Sequence, residues 1–336
     1  MKKVTVFVGL DYHQSGVQVC AMARDGKVLL NTRCQNDWQQ IAQRVGTVGD
    51  RVQAAIESCS GAANLAEELV SQGGWSVDLA HPGYVSRMKQ SPDKSDYSDA
   101  RMLADLVRVG YLPRVWLAPE PIRELRQLVR YRQQLVNDRR NVKLRMGALL
   151  REQRVFFKLV RPWTRAWMAW LRATGDLSPY SRWVMDRHLR RLASLEEEMT
   201  EVETYLTEAT RDDATVKHLL SLPGIGPATA WVLRAEIGRF DRFRTGKQLA
   251  RFCGLSPRNA SSGERQADSG LIRAANGQLR ATLIQAGHRL VRHDRRWSGL
   301  ASRLLKAGKP RTVVVAAVAN RWMRWLFHQM QRPVAA

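Results

Sequence analysis

Apolar and polar residues alternate along the first hundred residues in short runs separated by turn residues. These runs predict five strands, at 4–10, 17–23, 27–32, 52–56 and 75–80. Amphipathic spacing predicts three helices, at 38–45, 62–72 and 96–109. Asp25-Gly26 favours a tight turn between the second and third strands. A hairpin followed by alternating strands and helices indicates an α/β domain with the ribonuclease-H-like order. A doubly wound nucleotide-binding domain is the alternative, but no glycine-rich loop follows the first strand.

From residue 120 the pattern becomes helical. Long amphipathic stretches predict helices at 120–154 and 180–210, which could pack as an antiparallel coiled coil. Between them, Trp163, Trp167 and Trp170 recur at helical spacing. That spacing favours a packing stripe, and stacking on nucleic-acid bases is the alternative.

After residue 215 the pattern changes to short helices joined by tight turns. Leu222-Pro223-Gly224-Ile225-Gly226 stands between two helical segments and is typical of a helix-hairpin-helix. Gly224 and Gly226 would let backbone N–H groups approach a phosphate. The alternative interpretation of this motif is an ordinary corner between two helices. A polar loop follows at 254–264, and further helices are predicted at 276–291 and 311–330. The second half is therefore predicted to be all-α.

Charge separates the chain into two parts. The protein has 336 residues and a net charge of +23, but residues 1–100 carry 10 basic and 11 acidic side chains. Residues 101–195 carry a balance of +14, and residues 196–336 a balance of +10. Such an excess predicts an anionic polymer as partner. The near-neutral residues 1–100 are expected to form the catalytic domain, and residues 101–336 are expected to bind phosphates.

Several other classes of protein are disfavoured by the sequence. No apolar stretch reaches the roughly 18 residues of a membrane-spanning helix, so no membrane partner is expected. The first apolar run reaches Asp11 too early for a signal peptide, which predicts a cytoplasmic protein. The four cysteines contain no closely spaced pair, which argues against a zinc site or a disulfide framework.

Four carboxylates stand where they can converge. Asp11 and Glu57 follow strand-like runs, while Asp96 and Asp99 lie three residues apart at the start of a predicted helix. Clustered carboxylates repel one another, and a divalent cation such as Mg²⁺ removes that repulsion. Taken singly, each acid has an ordinary explanation, such as a helix cap. Together, in a cationic protein, they predict a Mg²⁺ site that acts on phosphodiesters.

These motifs resemble those of one family. Gly9-Leu10-Asp11, Ile56-Glu57 and residues 94–104 are similar to the DEDD domain of a class of insertion-sequence transposases. That class also contains the Piv-type DNA invertases and RNA-guided bridge recombinases. Its second signature, L-P-G-I-G, G-L-x-P, S-G and N-x-x-L-R, is found here at 222–226, 254–257, 262–263 and 276–280. Two separate motif sets in one chain make the resemblance specific.

The resemblance implies three domains. These are a RuvC-like catalytic domain with a ribonuclease-H fold at 1–112, a basic coiled-coil segment at 113–212, and a helical C-terminal transposase domain at 213–336. It implies a DNA transposase in which Ser262 is the nucleophile and forms a covalent link to DNA. It also implies a structured guide RNA that pairs with double-stranded donor and target DNA. The protein is then expected to be a homo-oligomer, either a dimer or a tetramer, in which the serine of one subunit completes the acidic site of another. It is also expected to act at the bacterial nucleoid.

Eight residues are expected to contact nucleic acid, from the basic middle segment, the Gly turn and the C-terminal motifs: Arg139, Arg140, Lys143, Arg145, Gly224, Gly226, Arg273 and Arg280. One departure from the family is visible after Ile272, where members often carry Ser-Lys-Arg-Gly and this chain retains a basic residue only at Arg273. Alternative functions are a Holliday-junction-type endonuclease that uses water as nucleophile, a site-specific DNA invertase, and a non-catalytic binding protein. The presence of all four acids argues against the last.

Overall fold

The structure, a computed structural model, describes residues 5–88, 95–156, 160–259, 268–273 and 275–331. It divides into two compact units, Met1–Pro119 and Glu120–Ala336. The first unit is mixed α/β and the second is mostly helical, as the hydrophobic pattern predicts. The predicted division of the second part at residue 212 stays a prediction, and residues on both sides of it contribute to one hydrophobic core.

The first unit is built on a six-stranded sheet with the order β3-β2-β1-β4-β5-β6. The strands are β1 (Thr5–His13), β2 (Gly16–Met22), β3 (Val28–Cys34), β4 (Arg51–Glu57), β5 (Ser76–Ala80) and β6 (Arg114–Val115). Strands β1, β2 and β3 pair antiparallel, whereas β4 pairs parallel with both β1 and β5. The central strands β1 and β4 are rich in buried aliphatic residues, as is typical of strands that are covered on both faces.

Four helices accompany this sheet: α1 (Trp38–Gly46), α2 (Ala62–Ser71), α3 (Pro82–Val85) and α4 (Asp96–Arg108). Alternate residues of β1 belong to different cores, because side chains along a strand alternate between its two faces. Val6 and Val8 share a core with α1 and α2, while Phe7 shares one with Leu103 and Val107 of α4. Helix α4 thus covers the opposite face of β1 from α1 and α2.

The second unit contains nine helices and a small two-stranded sheet among its described residues. The helices are α5 (Glu120–Glu152), α6 (Arg165–Ala173), α7 (Pro179–Ala209), α8 (Ala214–Ser221), α9 (Pro227–Ile237), α10 (Gly246–Phe252), α11 (Gly277–His293), α12 (Arg295–Lys306) and α13 (Arg311–Met330). Strands β7 (Pro257–Asn259) and β8 (Asp268–Leu271) pair antiparallel. One continuous core extends from α5 to α13 and centres on the fully buried Trp322.

Helices α5 and α7 form a long antiparallel hairpin. Gln153 contacts Ser178 near one end, and Arg132 forms an ion pair with Glu203 nearer the other. The predicted apolar stripe is confirmed at Leu135 and Val142, which are buried between the helices. None of the helices within the described ranges has the length and apolar content needed to cross a membrane.

Candidate metal centre

Strands β1 and β4 carry two of the four predicted carboxylates to the same edge of the sheet. The last paired residues of these parallel strands are Leu10 and Ile56, so Asp11 and Glu57 each follow directly. Leu10 and Ile56 pack into the core beside α1 and α2. Because side chains alternate along a strand, Asp11 and Glu57 belong to the face that α4 covers.

Helix α4 brings the other two carboxylates to that face. The Ser95 hydroxyl caps the helix by accepting a hydrogen bond from the Ser98 N–H at 3.2 Å, so the helix begins at Asp96. Asp96 and Asp99 therefore lie one turn apart on one side of the helix. Asp99 is buried, whereas the Asp96 side chain is 39% exposed.

Gly9 allows α4 to lie directly on β1. A methyl group at this position would overlap the carbonyl oxygen of Ala100 and lie 2.5 Å from the backbone nitrogen of Ala104. Any side chain at Gly9 would therefore push the helix away from the strand. The close contact holds the first turn of α4 beside Asp11, two residues further along β1.

His13 joins the acidic residues, although the sequence analysis did not select it. Its Nε2 atom lies 3.3 Å from Oδ2 of Asp11 and 3.4 Å from Oδ1 of Asp96. One ligand atom from each of these three residues lies within 4.8 Å of the others. Arg33 approaches Asp96 from β3, with 3.6 Å between its NH1 atom and Oδ2. The two-residue period of β1 was the available signal, since His13 follows Asp11 on the same face.

The carboxylates act on one another electrostatically. Burial raises the pKa of Asp11 above its ordinary value, the negative charges of Asp96 and Asp99 raise it further, and nearby His13 opposes the shift. Partial burial and the charge of Glu57 raise the pKa of the Cys59 thiol, and Asp11 adds to this effect. Asp11 is thus influenced by both acids of α4, and Glu57 and Asp11 both act on the Cys59 thiol.

The closest grouping differs from the predicted set of four. Among the described residues, Asp11, His13 and Asp96 form the compact group of potential ligand atoms, and Glu57 and Asp99 are not part of it. Carboxylate oxygens are the ligands preferred by Mg²⁺, and a histidine nitrogen is better suited to a transition metal such as Zn²⁺. The donor set fits a divalent cation, because such an ion would relieve the repulsion that Asp11 experiences.

Ser262, the predicted nucleophile, lies outside the described residues, as does its neighbour Ser261. Strands β7 and β8 on either side of this segment pair through Pro257 with Leu271 and Asn259 with Asp268. The sequence predicts only a polar loop at 254–264 and does not predict this pairing, because strands of three and four residues carry almost no periodic signal.

The predicted turn between α8 and α9 contains a surface cavity. Gly224 adopts a φ of +83°, and a methyl group there would lie 2.6 Å from Cδ2 of Leu290. Gly226 is the residue that precedes α9, so the free N–H groups of that helix begin beside the turn. A cavity of about 370 Å³ is lined by this turn together with Arg289 and His293 of α11. Asp294 also lines the cavity, so the groups that can contact an anion there are Arg289 and the N–H groups at the start of α9.

The predicted basic residues differ in exposure. Arg140 and Arg145 of α5 are exposed, whereas Arg139 and Lys143 are half-buried. Arg273 is exposed, but Arg280 donates a hydrogen bond from NH1 to the carbonyl oxygen of Ile272 at 2.7 Å. Arg280 therefore supports the backbone before α11 in addition to any role in binding phosphate.

The chain is similar to known transposase families and proteins. Residues 8–154 match a DEDD transposase family, and residues 216–302 match the transposase family IS116/IS110/IS902. The chain is 27% identical over 330 residues to the transposase for insertion sequence element IS1328 from Yersinia enterocolitica, covering 96% of each chain. It is 25% identical to the transposase for IS1111A from Coxiella burnetii, over 97% of this chain and 90% of the relative. It is also 28% identical to a probable family 20 transposase from Pseudomonas aeruginosa, over 83% of each.

Proposed function

Because this chain belongs to the IS110/IS116 family of insertion-sequence transposases, we propose that it cleaves and joins DNA with divalent metal ions held by its acidic cluster. The chain is a DNA transposase, and the proposal concerns how its residues perform the reaction. The ligands are Asp11, Glu57, Asp96 and Asp99, and Mg²⁺ is the proposed ion. The sequence predicts the same role, that of metal ligand, for all four residues.

A ribonuclease-H-like fold for the first unit is supported by its sheet. Three antiparallel strands, β1 to β3, are followed by β4 and β5, which run parallel to β1. Helices α1 and α2 lie on one face and α4 on the other. Asp11 and Glu57 follow the ends of adjacent strands and α4 begins beside Asp11, which supports a shared site for the four acids.

The observation that carries the proposal is the approach of α4 to the end of β1. Asp11 and Asp96 come close enough for His13 Nε2 to lie within 3.4 Å of an oxygen of each. When bound there, a divalent ion would lower the pKa of an attacking hydroxyl and stabilise charge on the leaving oxygen. Arg33, beside Asp96, can contact a DNA phosphate and orient the strand at the site.

Ser262 is the proposed nucleophile. Its hydroxyl oxygen would form a bond to a DNA phosphorus as the bond from that phosphorus to a deoxyribose oxygen breaks. A base would take the serine proton and pass it to the deoxyribose oxygen, which leaves as a hydroxyl. The phosphoserine ester keeps the energy of the broken phosphodiester for rejoining to a new strand. In the proposed oligomer, a dimer or tetramer, the serine of one subunit acts with the carboxylates of another.

We further propose that a structured guide RNA selects the donor and target DNA. The positive balance of +24 over residues 101–336 supports binding of more than one polyanion. The turn at Gly224 and Gly226, with Arg289 nearby, supports a helix-hairpin-helix that contacts phosphates. Base pairing by the RNA would then supply the sequence recognition that these backbone contacts lack.

Recombination of labelled donor and target DNA tests the proposed function. Asp96→Asn and Ser262→Ala are expected to reduce strand exchange to background in Mg²⁺, and only the wild-type protein and the controls should form a covalent protein–DNA species. Asp105→Asn and Ser261→Ala serve as controls, because Asp105 lies on the same helix as Asp96 but pairs with Arg108.

Proteolysis of the trapped species and mass spectrometry would locate the linkage. An adduct at a residue other than Ser262 would remove the assigned nucleophile. Cleavage with no adduct at all would favour a structure-specific nuclease that uses water. Full exchange by Asp96→Asn would exclude its proposed role as a metal ligand.

A further inference from the structure

An open cleft of about 440 Å³ lies in the second unit, where α5 ends and α6 begins. Its volume falls in the roughly 300–1,000 Å³ range of small-ligand sites. Its walls are aromatic and basic and include Lys143, Arg151, Phe156, Trp163, Trp167 and Trp170. Among the described lining residues, two are cations and none is a carboxylate. The cleft therefore combines flat apolar surfaces with positive charge.

Of Trp163, Trp167 and Trp170, only Trp167 is fully buried in the core. Trp167 is 4% exposed and packs into the hydrophobic cluster of the second unit, as a packing stripe requires. Its ring centroid lies 4.7 Å from that of Trp163 and 5.9 Å from that of Trp170, and both of those residues are half-buried. Phe156 is 62% exposed beside them. Packing alone does not explain this much aromatic surface open to solvent.

The local backbone and charge also indicate a site shaped for a ligand. Trp163 has a φ of +71°, a left-handed conformation that a bulky residue rarely adopts, and such strain concentrates at functional sites. Lys143 Nζ lies 5.1 Å from the centroid of the Trp163 ring. Burial and the neighbouring charge of Arg139 lower the pKa of Lys143, so an anion beside this lysine would be favourable.

We propose that this cleft binds an unpaired nucleotide of a single DNA strand, with the base against the aromatic rings and the phosphates beside Lys143 and Arg151. A paired base is already stacked within its duplex, so only an unpaired base can enter the cleft. The charge balance of +14 over residues 101–195 favours a polyanion over a protein or a neutral ligand. The inference rests on the proposed function only for the choice of DNA as the nucleic acid.

Binding of a short labelled DNA strand, measured by fluorescence anisotropy in the presence of EDTA, tests this site apart from catalysis. The comparison probe is a strand of the same length whose sugars carry no bases, which keeps the phosphate charge and removes stacking. Wild-type protein is expected to bind the normal strand about tenfold more tightly than the abasic one. Trp163→Ala should abolish this difference, and Trp163→Phe should keep most of it.

Two further variants separate stacking from charge and folding. Trp183→Ala is the matched control, because Trp183 is an exposed tryptophan with Arg187 4.8 Å from its ring centroid and does not line the cleft. It should bind both strands as the wild type does. Trp163→Gly, which suits a positive φ, replaces Trp163→Ala if the alanine variant does not fold. Lys143→Gln should reduce the salt dependence of binding to both strands.

Several results would overturn the proposal. One is equal binding of normal and abasic strands by the wild type, and another is an equal loss of binding in Trp163→Ala and Trp183→Ala. A Trp163-dependent preference for an RNA strand would show that the occupant is not DNA. Loss of oligomers in Trp163→Ala, without loss of the base contribution, would show that the cleft is a subunit interface. Since no metal or cleavage is involved, none of these results affects the proposed role of the carboxylates.

Discussion

Gly9 is the residue whose replacement most directly tests how the acidic site is assembled. In Gly9→Ala the new methyl group would overlap the backbone of Ala100 and lie 2.9 Å from Cβ of Leu103. Overpacking of this kind costs about 1–3 kcal/mol. We expect urea unfolding to show a loss in that range, together with weaker metal binding as α4 moves from Asp11.

The matched control is Gly46→Ala. Apart from its chain neighbours and the backbone of its own helix, no described atom lies within 4 Å of the position that a methyl group at Gly46 would occupy, at the end of α1. Its stability is expected to stay within about 1 kcal/mol of the wild type. Equal stability of the two variants would show that α4 does not need the close contact at Gly9.

At the residue scale, the sequence predicted the four acids as metal ligands but did not predict His13, which lies beside Asp11 and Asp96. Asp11 and Glu57 were predictable because they directly follow strand-like runs, and Asp96 and Asp99 because they begin a helix. His13 was missed because a single histidine in a strand has many ordinary explanations. Its role depends on the approach of α4, which the tertiary packing at Gly9 determines and the local sequence does not.

Helix α5 is the element whose charge can be tested by itself. Neutralising Arg139, Arg140, Lys143 and Arg145 with glutamine is expected to weaken binding of double-stranded DNA. The slope of log K against log salt should become shallower by up to about 3.6, since each phosphate contact contributes roughly 0.9. A salt titration of the binding constant measures this slope.

The control for this prediction is Arg239→Gln. Arg239 is exposed but pairs with Asp241 at 2.6 Å, so it is less available to a phosphate. Its slope should change by less than about one unit. A slope that is unchanged in the fourfold variant would show that α5 does not bind the DNA backbone.

At the element scale, long periodic segments were predictable and short ones were not. Helices α5 and α7 follow from their apolar stripes, and the five longer strands follow from their apolar runs. Helices α10 and α12 and strands β6 to β8 were missed, because their stability comes from tertiary contacts. For α12 a signal was available: Asp294 caps it by accepting hydrogen bonds from the N–H groups of Arg296 and Trp297.

At the scale of the whole molecule, the acidic cluster and the positive charge occupy different parts of the chain. Residues 1–100 have a balance of −1, and residues 101–336 a balance of +24. This separation was predictable from the sequence, and it is consistent with the proposed metal binding by the first unit.

The proposed reaction depends most on the binding of a catalytic divalent ion by the acidic cluster. Mn²⁺ can replace Mg²⁺ at oxygen ligands. Electron paramagnetic resonance measures the concentration of free Mn²⁺ and therefore measures this binding directly. We predict saturable Mn²⁺ binding that Mg²⁺ displaces. Asp11→Asn should weaken it by about tenfold or more, since removing even a supporting group costs that much at a metal site. Asp105→Asn should bind as the wild type does. Equal Mn²⁺ binding by the wild type and Asp11→Asn, or no saturable binding by the wild type, would contradict the account.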